Sequence, residues 1–378
     1  MATIYFATNR NQTGKPEDPF GQRFHADGPQ FYRVGSAEVR KVSDDPNAGY
    51  VVDSIDIAAE ADRTRKPEEV LGSNAIFRDL QSDMAADQSD AIILIHGYAS
   101  SFETSLQRAA QLQDAYVFTT APARGTREIK PQAFVFSWPS NGSMVPFWSY
   151  ADDRQDAAFS GIAMARALAR MLEFLRDQAP RDAATGTIRC NQRIHLVAHS
   201  MGNWALRHTV LALGQLMSAE RMPRLFDNIF LMAADEDADA LEDKGKLGLL
   251  AQLGRSVHVY YSNEDGALML SKTSKINGDR LGSVGPKSFA TLPNNIYAID
   301  CVSVDNTDGM DASLLQTHAN HQYYRLRDEV IQDVRAVLAG TRPDAIKGRT
   351  PVEPRRFRIE AAKPPRKPAA KPASGKPR

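Results

Sequence analysis

The 378-residue chain contains only two cysteines, Cys190 and Cys301, and neither lies at the Cys or His spacing of a metal or redox site. We therefore expect two buried thiols and neither a metal nor a cofactor. Long apolar runs are also missing, since the longest, such as Ala91–Ile95, have the length of a strand. The N-terminus has no basic start followed by an apolar stretch. The sequence thus predicts a cytoplasmic protein without a signal peptide or a transmembrane segment.

The chain has no net charge, because 46 Lys and Arg residues balance 46 Asp and Glu residues. A dedicated nucleic-acid-binding protein needs basic residues gathered on its folded surface. We therefore expect no specific nucleic-acid partner. The charge is nevertheless uneven, since residues 341–378 carry twelve basic and three acidic side chains and leave an excess of nine negative charges on the remainder.

Proline, alanine and lysine dominate the end of the chain, where large apolar residues are scarce. Such a segment buries too little apolar surface to offset the entropy lost on ordering. We predict one folded domain over 1–340 and a disordered basic tail over 341–378. We expect the tail to be a solubilising segment, with a weak contact to an anionic surface as the alternative. The sequence leaves the oligomeric state open.

The organisation of the chain changes near residue 90. Before it, the β-rich runs "TIYFATNR", "QFYRVGSAEVRKV" and "YVVDSIDIA" are separated by turn-forming residues and predict antiparallel strands in an N-terminal extension of about 1–88. After it, apolar runs of strand length alternate with helix-length segments, the pattern of a parallel sheet with crossover helices. The sequence thus predicts an α/β fold with a mostly parallel central sheet of about eight strands flanked by helices.

The segment "IHLVAHSMGNWALRHTV" places Ser200 between an apolar strand and a helix. Small residues two positions before and after it, Ala198 and Gly202, let strand and helix approach as a nucleophile elbow requires, although glycine is commoner at the first of these positions. The alternative is a serine that only caps the helix. We interpret Ser200 as the nucleophile of an α/β-hydrolase fold.

The upstream segment "LIHGYASSFETSL" favours this interpretation. There a buried strand ends in His96 and Gly97 and is followed by a polar loop and a helix. In α/β-hydrolases this loop supplies one backbone N–H of the oxyanion hole, and the residue after the serine supplies the other. The predicted oxyanion donors are Tyr98 and Met201.

A serine nucleophile needs a histidine to take its proton and a carboxylate to orient that histidine. In this fold the acid and then the histidine follow the serine along the chain. His208 lies in the helix after the serine and His258 inside an apolar strand, so we place the base in the loop after the last strand. There His321, which directly precedes the terminal helix, is preferred to His318.

Asp265 is the preferred acid, because it stands just past the strand "SVHVYYS" in a loop that can reach the histidine. Asp235 and Asp237, after the preceding strand, are the alternative, although they are also typical of the solvated start of a helix. Three further acids flank the histidine loop and are interpreted as turn formers: Asp300, Asp305 and Asp308.

Together these motifs resemble a group of bacterial α/β-hydrolases known as domain of unknown function 900. In the family's order, the resemblance rests on "ATNR", "HGYASSFETSLQRAAQL", "VFSWPSNGS", "YADDRQDAAFSG", "LVAHSMGN", "YYSNEDGALMLSK" and "HQYY", over about residues 3–335. It implies a triad of Ser200, Asp265 and His321 and favours His321 over His318. It implies nothing about the substrate.

Three segments have two interpretations each. Trp138 either lines an acyl pocket or stiffens a turn. Tyr150, Asp153 and Arg154 either shape the entrance of the site or pair at the start of the long helix. Residues 235–254 form either a small lid or an ordinary crossover helix.

As a whole, the sequence predicts a serine esterase that hydrolyses a small carboxylic ester or thioester through an acyl-enzyme on Ser200. A serine at this position argues against dehalogenase and epoxide-hydrolase chemistry, which use a carboxylate there. Two alternatives remain open. One is acyl transfer to an alcohol by the same triad, and the other is a non-catalytic binding scaffold.

Overall fold

A computed structural model describes residues 1–45, 47–59, 72–120, 125–140, 148–185, 192–217, 222–268, 278–304 and 321–361, with only the backbone for 148–149 and 178–185. The strands are β1 (Ala2–Thr8), β2 (Arg10–Lys15), β3 (Asp18–Phe24), β4 (Arg33–Lys41), β5 (Tyr50–Ile57), β6 (Ala91–Ile95), β7 (Phe118–Thr119), β8 (Glu128–Ile129), β9 (Gln132–Ser137), β10 (Ile194–His199), β11 (Phe226–Met232), β12 (Gly254–Tyr261), β13 (Ile296–Asp300), β14 (Arg349–Glu353) and β15 (Arg356–Ile359). The helices are α1 (Ser73–Ala86), α2 (Phe102–Ala115), α3 (Trp148–Thr185), α4 (Gly202–Met217), α5 (Leu250–Leu253), α6 (Leu281–Val284), α7 (Tyr323–Leu326) and α8 (Asp328–Leu338).

Eleven of the described strands form one sheet, in the order β14-β15-β13-β12-β11-β10-β6-β9-β1-β4-β5. From β15 to β1 all neighbours are parallel, whereas β4 and β5 continue the sheet in antiparallel fashion. The predicted α/β architecture, with antiparallel strands near the N-terminus, is confirmed. The sheet is larger than the eight strands predicted, because strands from both ends of the chain join it.

The core lies in two layers, one on each face of this sheet. Alternate residues of β6 point to opposite faces, so that Ile93 and Ile95 pack in one apolar cluster and Ile92 and Leu94 in the other. Helices α1, α3 and α4 cover the first face, and helices α2 and α8 cover the second. A strand buried on both faces reads as a continuous apolar run, which is why β6 was recognisable in the sequence.

The prediction of a disordered tail from residue 341 is wrong for residues 341–361. Strand β15 pairs in parallel with β13 and buries Phe357 and Ile359, while β14 pairs with β15. The Arg349 guanidinium forms a buried bidentate pair with Asp333 on α8, with nitrogen–oxygen distances of 2.6 and 2.8 Å. Composition misled the prediction because long-range pairing orders this basic segment. Residues 362–378 lie outside the described part.

Residues 235–249 form turns, and only Leu250–Leu253 are helical, so this segment is not an ordinary crossover helix. Cys301 is buried as predicted, while Cys190 falls outside the described residues. Among the helices described, none combines the length and apolarity needed to cross a bilayer.

The parallel strands fix the location of the candidate site. Strands β1, β6, β9, β10, β11 and β12 all end at the same edge of the sheet. The loops that follow them therefore converge there, as ligand-binding loops do in open α/β sheets. Ser200 directly follows β10 at this edge.

We expect Asp333→Asn to lower the free energy of unfolding by about 3 kcal/mol, because the guanidinium of Arg349 would stay buried without its carboxylate. Urea denaturation measures the change. The control is Arg358→Met, since Arg358 pairs with Asp300 but its side chain is 44% exposed. That variant should lose less than about 1 kcal/mol, and equal losses in the two variants would contradict this account of the C-terminal strands.

Candidate active site

Ser200 has a strained backbone. Its φ of 53° lies in the left-handed region, which residues other than glycine rarely adopt. Its N–H donates to the carbonyl oxygen of Met232 at 2.9 Å, and its own carbonyl accepts from the N–H groups of Asn203 and Asp235 at 3.0 and 3.2 Å. A helix-capping serine normally has an extended backbone, so the geometry favours a nucleophile elbow over a simple cap.

Two glycines let the loops meet at this elbow. A Cβ atom at Gly202 would lie 2.5 Å from the carbonyl oxygen of Ile95, and one at Gly97 would lie 2.9 Å from Cβ of Ser200. Both distances are shorter than a Cβ contact allows. Glycine at these positions therefore brings the end of β6 against the start of α4.

His321 and Asp265, the predicted base and acid, are both buried and lie in hydrogen-bond contact. Nδ1 of His321 lies 2.7 Å from Oδ2 of Asp265, while Oδ1 of Asp265 accepts from the N–H groups of Ala267 and Leu268, each at 3.1 Å. The carboxylate is held through both oxygens. Because Nδ1–H of His321 faces a carboxylate, the lone pair is left on Nε2, the atom a general base uses.

His199, the residue before Ser200, connects the elbow to the histidine loop. Burial and the nearby His321 hold the pKa of His199 well below its usual value, so its ring is neutral. Its Nε2–H therefore donates to the carbonyl oxygen of His321, at 2.9 Å. The rings of these two histidines lie 4.7 Å apart, and the His199 ring also stacks on Tyr324 at 4.5 Å. This contact ties the backbone of His321 to the residue next to Ser200.

Two tyrosines anchor the rest of the "HQYY" segment. The hydroxyl of Tyr323 donates to the carbonyl oxygen of Tyr260 at 2.9 Å and accepts from the N–H of Ala233 at 3.0 Å. The carbonyl oxygen of Tyr324 accepts from the hydroxyl of Tyr116, also at 2.9 Å. All five residues are buried. The loop that carries His321 is thus fixed to the ends of β11 and β12 and to α2.

His96 sets the direction of the predicted oxyanion donor Tyr98. Burial lowers the pKa of His96 well below its usual value, so its ring is neutral. Nε2 of this ring accepts from the backbone N–H of Trp138 at 3.1 Å. Its Nδ1–H donates to the carbonyl oxygen of Gly97 at 2.8 Å. Because the Gly97–Tyr98 peptide is planar and trans, the N–H of Tyr98 points away from His96. The second predicted donor, Met201, precedes α4, whose first N–H groups lack partners within the helix.

Trp138 supports this loop from behind. Its ring stacks on His96 with an interplanar angle of 8°, and its Nε1–H donates to the carbonyl oxygen of His96 at 2.8 Å. The indole is fully buried. Of the two interpretations of Trp138, the structure favours the rigid support over a wall of an acyl pocket.

The alternative acids Asp235 and Asp237 belong to a cluster of ion pairs. Asp235 accepts from the hydroxyl of Tyr150 at 2.5 Å and pairs with Nε of Arg280 at 3.2 Å. Asp237 pairs with Lys246 at 3.0 Å. Neither acid is at a solvated helix start. The other histidine-loop candidates His318, Asp305 and Asp308 fall outside the described residues, while Asp300 accepts from the N–H of Val302 as a turn former does.

This cluster of ion pairs lies next to Ser200, because the N–H of Asp235 donates to the carbonyl oxygen of Ser200. Arg154 lies 3.6 Å above the ring of Trp204 and 3.6 Å from Asp235. Arg207 also lies over Trp204 and pairs with Glu236 at 3.2 Å. Burial raises the pKa of the Glu236 carboxyl to about 7. Tyr150 and Arg154 thus contact residues beside the elbow and do not simply pair at the start of α3.

A family model described as an alpha/beta hydrolase of unknown function (DUF900) matches residues 73–342. The chain belongs to this family. The match agrees with the hydrolase scaffold seen in the sheet and its crossovers, and it assigns no substrate. Comparisons with curated proteins and with solved structures give no match.

Two features of this α/β-hydrolase were missed at the level of sequence. The roles of His96 and His199 in orienting neighbouring peptides depend on side-chain contacts between separate loops. Arg10, in the "ATNR" motif, is fully buried although no apolar pattern predicts it. The available signal for a functional role was the run of three polar residues, Thr8, Asn9 and Arg10, directly after the apolar part of β1. Strand β1 lies outside the 73–342 match.

We expect Ser200→Gly to be more stable than Ser200→Ala by about 1 kcal/mol, because glycine adopts a positive φ without the steric cost that alanine keeps. Thermal unfolding at one pH compares the two variants. Ser105, a buried residue inside α2, provides the control pair. There glycine should be less stable than alanine by about 1 kcal/mol, and the same sign at both positions would contradict a strained elbow.

Proposed function

We propose that this α/β-hydrolase is a serine hydrolase that cleaves carboxylic esters or thioesters through an acyl-enzyme on Ser200. The observation that carries the proposal is the 2.7 Å contact between His321 and Asp265, on a loop tied through His199 to the residue before Ser200. A hydroxyl becomes a useful nucleophile only beside such a base. The small-molecule ester is the proposed partner.

In the first half-reaction, Oγ of Ser200 attacks the carbonyl carbon while Nε2 of His321 takes the hydroxyl proton. Asp265 stabilises the resulting imidazolium and keeps Nδ1 protonated. The tetrahedral intermediate then collapses, and His321 gives its proton to the leaving alcohol or thiol. The acyl group remains bound to Ser200 as an ester.

The negative charge on the former carbonyl oxygen is bound by the N–H groups of Tyr98 and Met201. A donor aimed at this developing charge contributes about 3 kcal/mol in the transition state. The bond from His96 to the Gly97 carbonyl supports this role, since it fixes the peptide that carries the Tyr98 N–H. In the second half-reaction, water loses a proton to His321 and attacks the acyl carbon. The new tetrahedral intermediate collapses, His321 returns the proton to Oγ of Ser200, and the acid is released.

The strain at Ser200 also argues for catalysis over a scaffold role. A residue other than glycine in the left-handed region costs about 1–2 kcal/mol, and such strain is concentrated at functional sites, active sites among them. Transfer of the acyl group to an alcohol uses the same residues. Product analysis with and without an added alcohol separates transfer from hydrolysis.

We expect Ser200→Ala to lose at least about 10⁴-fold in kcat on p-nitrophenyl esters. Asp265→Asn should lose about 10⁴-fold, because an amide N–H facing Nδ1 would move the histidine proton to Nε2. The matched control is Asp300→Asn, which changes an acid that pairs with Arg358 near the end of β13 and should keep its turnover. Steady-state kinetics over a series of acyl chain lengths provides the measurement.

Two outcomes would contradict the proposal. One is a folded wild-type protein that turns over none of the esters and thioesters. The other is an Asp265→Asn variant that is as active as Asp300→Asn.

A further inference from the structure

Three consecutive polar side chains at the junction of β1 and β2 are buried at the edge of the sheet that carries Ser200. Thr8, Asn9 and Arg10 are each fully buried. Strand β1 runs parallel to β9 with Thr8 opposite Ser137, and the Thr8 hydroxyl donates to the Ser137 carbonyl at 2.7 Å. The N-terminal extension therefore delivers polar groups to the same edge as the loops after β6 and β10.

Arg10 spreads its guanidinium over four acceptors, none of which is a carboxylate. It donates to Oγ of Ser137 at 3.0 Å and to the carbonyl oxygens of Gly21 at 3.1 Å, Ser140 at 3.5 Å and Ser100 at 2.7 Å. Burial lowers the pKa of Arg10 to about 9, so it still carries its charge at neutral pH. Burying a cation is expensive unless its donors are satisfied. The shortest of these bonds reaches the loop that contains Tyr98.

Ser140 holds the same loop residue from the other side. Its Oγ accepts from the N–H of Ser100 at 3.2 Å and donates to the carboxylate of Asp153 at 2.7 Å. Asp153 is fully buried and its charge offsets that of Arg10. Both backbone polar groups of Ser100 are thus fixed by side chains from β2 and from the turn after β9.

This clamp lies two residues from the predicted oxyanion donor. Ala99, between Tyr98 and Ser100, has a left-handed φ of 55°, a conformation that costs a residue other than glycine about 1–2 kcal/mol and persists only where the surrounding structure holds it. At the other end, His96 holds the Gly97 carbonyl. The Tyr98 N–H is therefore aimed by one fixed contact on each side.

We propose that Arg10 is a positioning residue for the oxyanion hole, acting through Ser100 to hold the Tyr98 N–H in the direction that transition-state stabilisation requires. The inference rests on the proposed ester hydrolysis. It gives the N-terminal extension, which lies outside the 73–342 family match, a part in catalysis. Arg10 itself contacts the loop and does not take part in the chemistry.

The test compares two substrates that differ in one atom, p-nitrophenyl butyrate and its thiono counterpart, in which C=S replaces C=O. Sulfur accepts hydrogen bonds more weakly than oxygen, so the ratio of kcat/KM for the two substrates reports on the oxyanion donors. Arg10→Lys keeps the positive charge but cannot span four acceptors with a planar fork. We expect kcat on the oxygen ester to fall about tenfold to hundredfold, with little change in KM and a smaller loss on the thionoester.

Two further variants separate positioning from general stability. Ser140→Ala removes the other restraint on Ser100 and should also lower the ratio of kcat/KM on the oxygen ester to kcat/KM on the thionoester. This variant provides a second test if Arg10→Lys fails to fold. Arg349→Lys changes another buried arginine, which pairs with Asp333 on α8. That control should lower the unfolding temperature and leave the ratio of the two substrates at the wild-type value.

A wild-type ratio in folded Arg10→Lys and Ser140→Ala would overturn the inference, and so would an equal fall of the ratio in Arg349→Lys. Wild-type protein without ester turnover would instead overturn the proposed function, on which the inference rests.

Discussion

The left-handed backbone of Ser200 is the constraint on which the arrangement of the sheet edge depends. At a φ of 53° the peptide turns sharply from β10 into α4. Hydrogen bonds from the ends of β11 and α4 hold this turn, and two glycines remove the side chains that would block it. A conformation that is unfavourable by about 1–2 kcal/mol persists because neighbouring elements leave no room for a relaxed one.

Two neutral, buried histidines hold the loops next to this strained turn in place. His96 and His199 each donate a ring N–H to a backbone carbonyl, the first to Gly97 and the second to His321. Burial keeps both rings uncharged, so each can use one nitrogen as a donor without burying a cation. One histidine orients the loop of the predicted oxyanion donor and the other orients the loop of the predicted base.

Much of this arrangement could be predicted from the sequence, because its signals are local. A serine between an apolar strand and a helix, and a His-Gly pair at the end of another strand, can be recognised in short windows. The order of acid and base along the chain favoured Asp265 over Asp235 and Asp237, and the family resemblance added weight to His321 over His318. The structure places Asp265 and His321 2.7 Å apart.

The parts that sequence reasoning missed depend on contacts between distant segments. In the sequence, strand β15 lies in a basic, proline-rich segment, and only its pairing with β13 shows that it is part of the sheet. No apolar pattern predicts that Arg10 is buried, and only the fold brings its guanidinium to the carbonyl oxygen of Ser100. Asp235 and Asp237 look like a solvated helix start, and only the fold brings Arg280 and Lys246 to them. Composition and periodicity indicate only what a segment can bury by itself. They could not predict these contacts, because each of these charged segments is buried by partners from other parts of the chain.

An activated serine nucleophile reacts covalently with a fluorophosphonate, so labelling tests the proposed role of Ser200. Purified wild-type protein is treated with a fluorophosphonate, and the modified peptide is identified by mass spectrometry. We predict one adduct per chain, on Ser200, with labelling abolished in Ser200→Ala and strongly slowed in Asp265→Asn. A folded wild-type protein that takes up no label, or a label that persists in Ser200→Ala, would contradict the account.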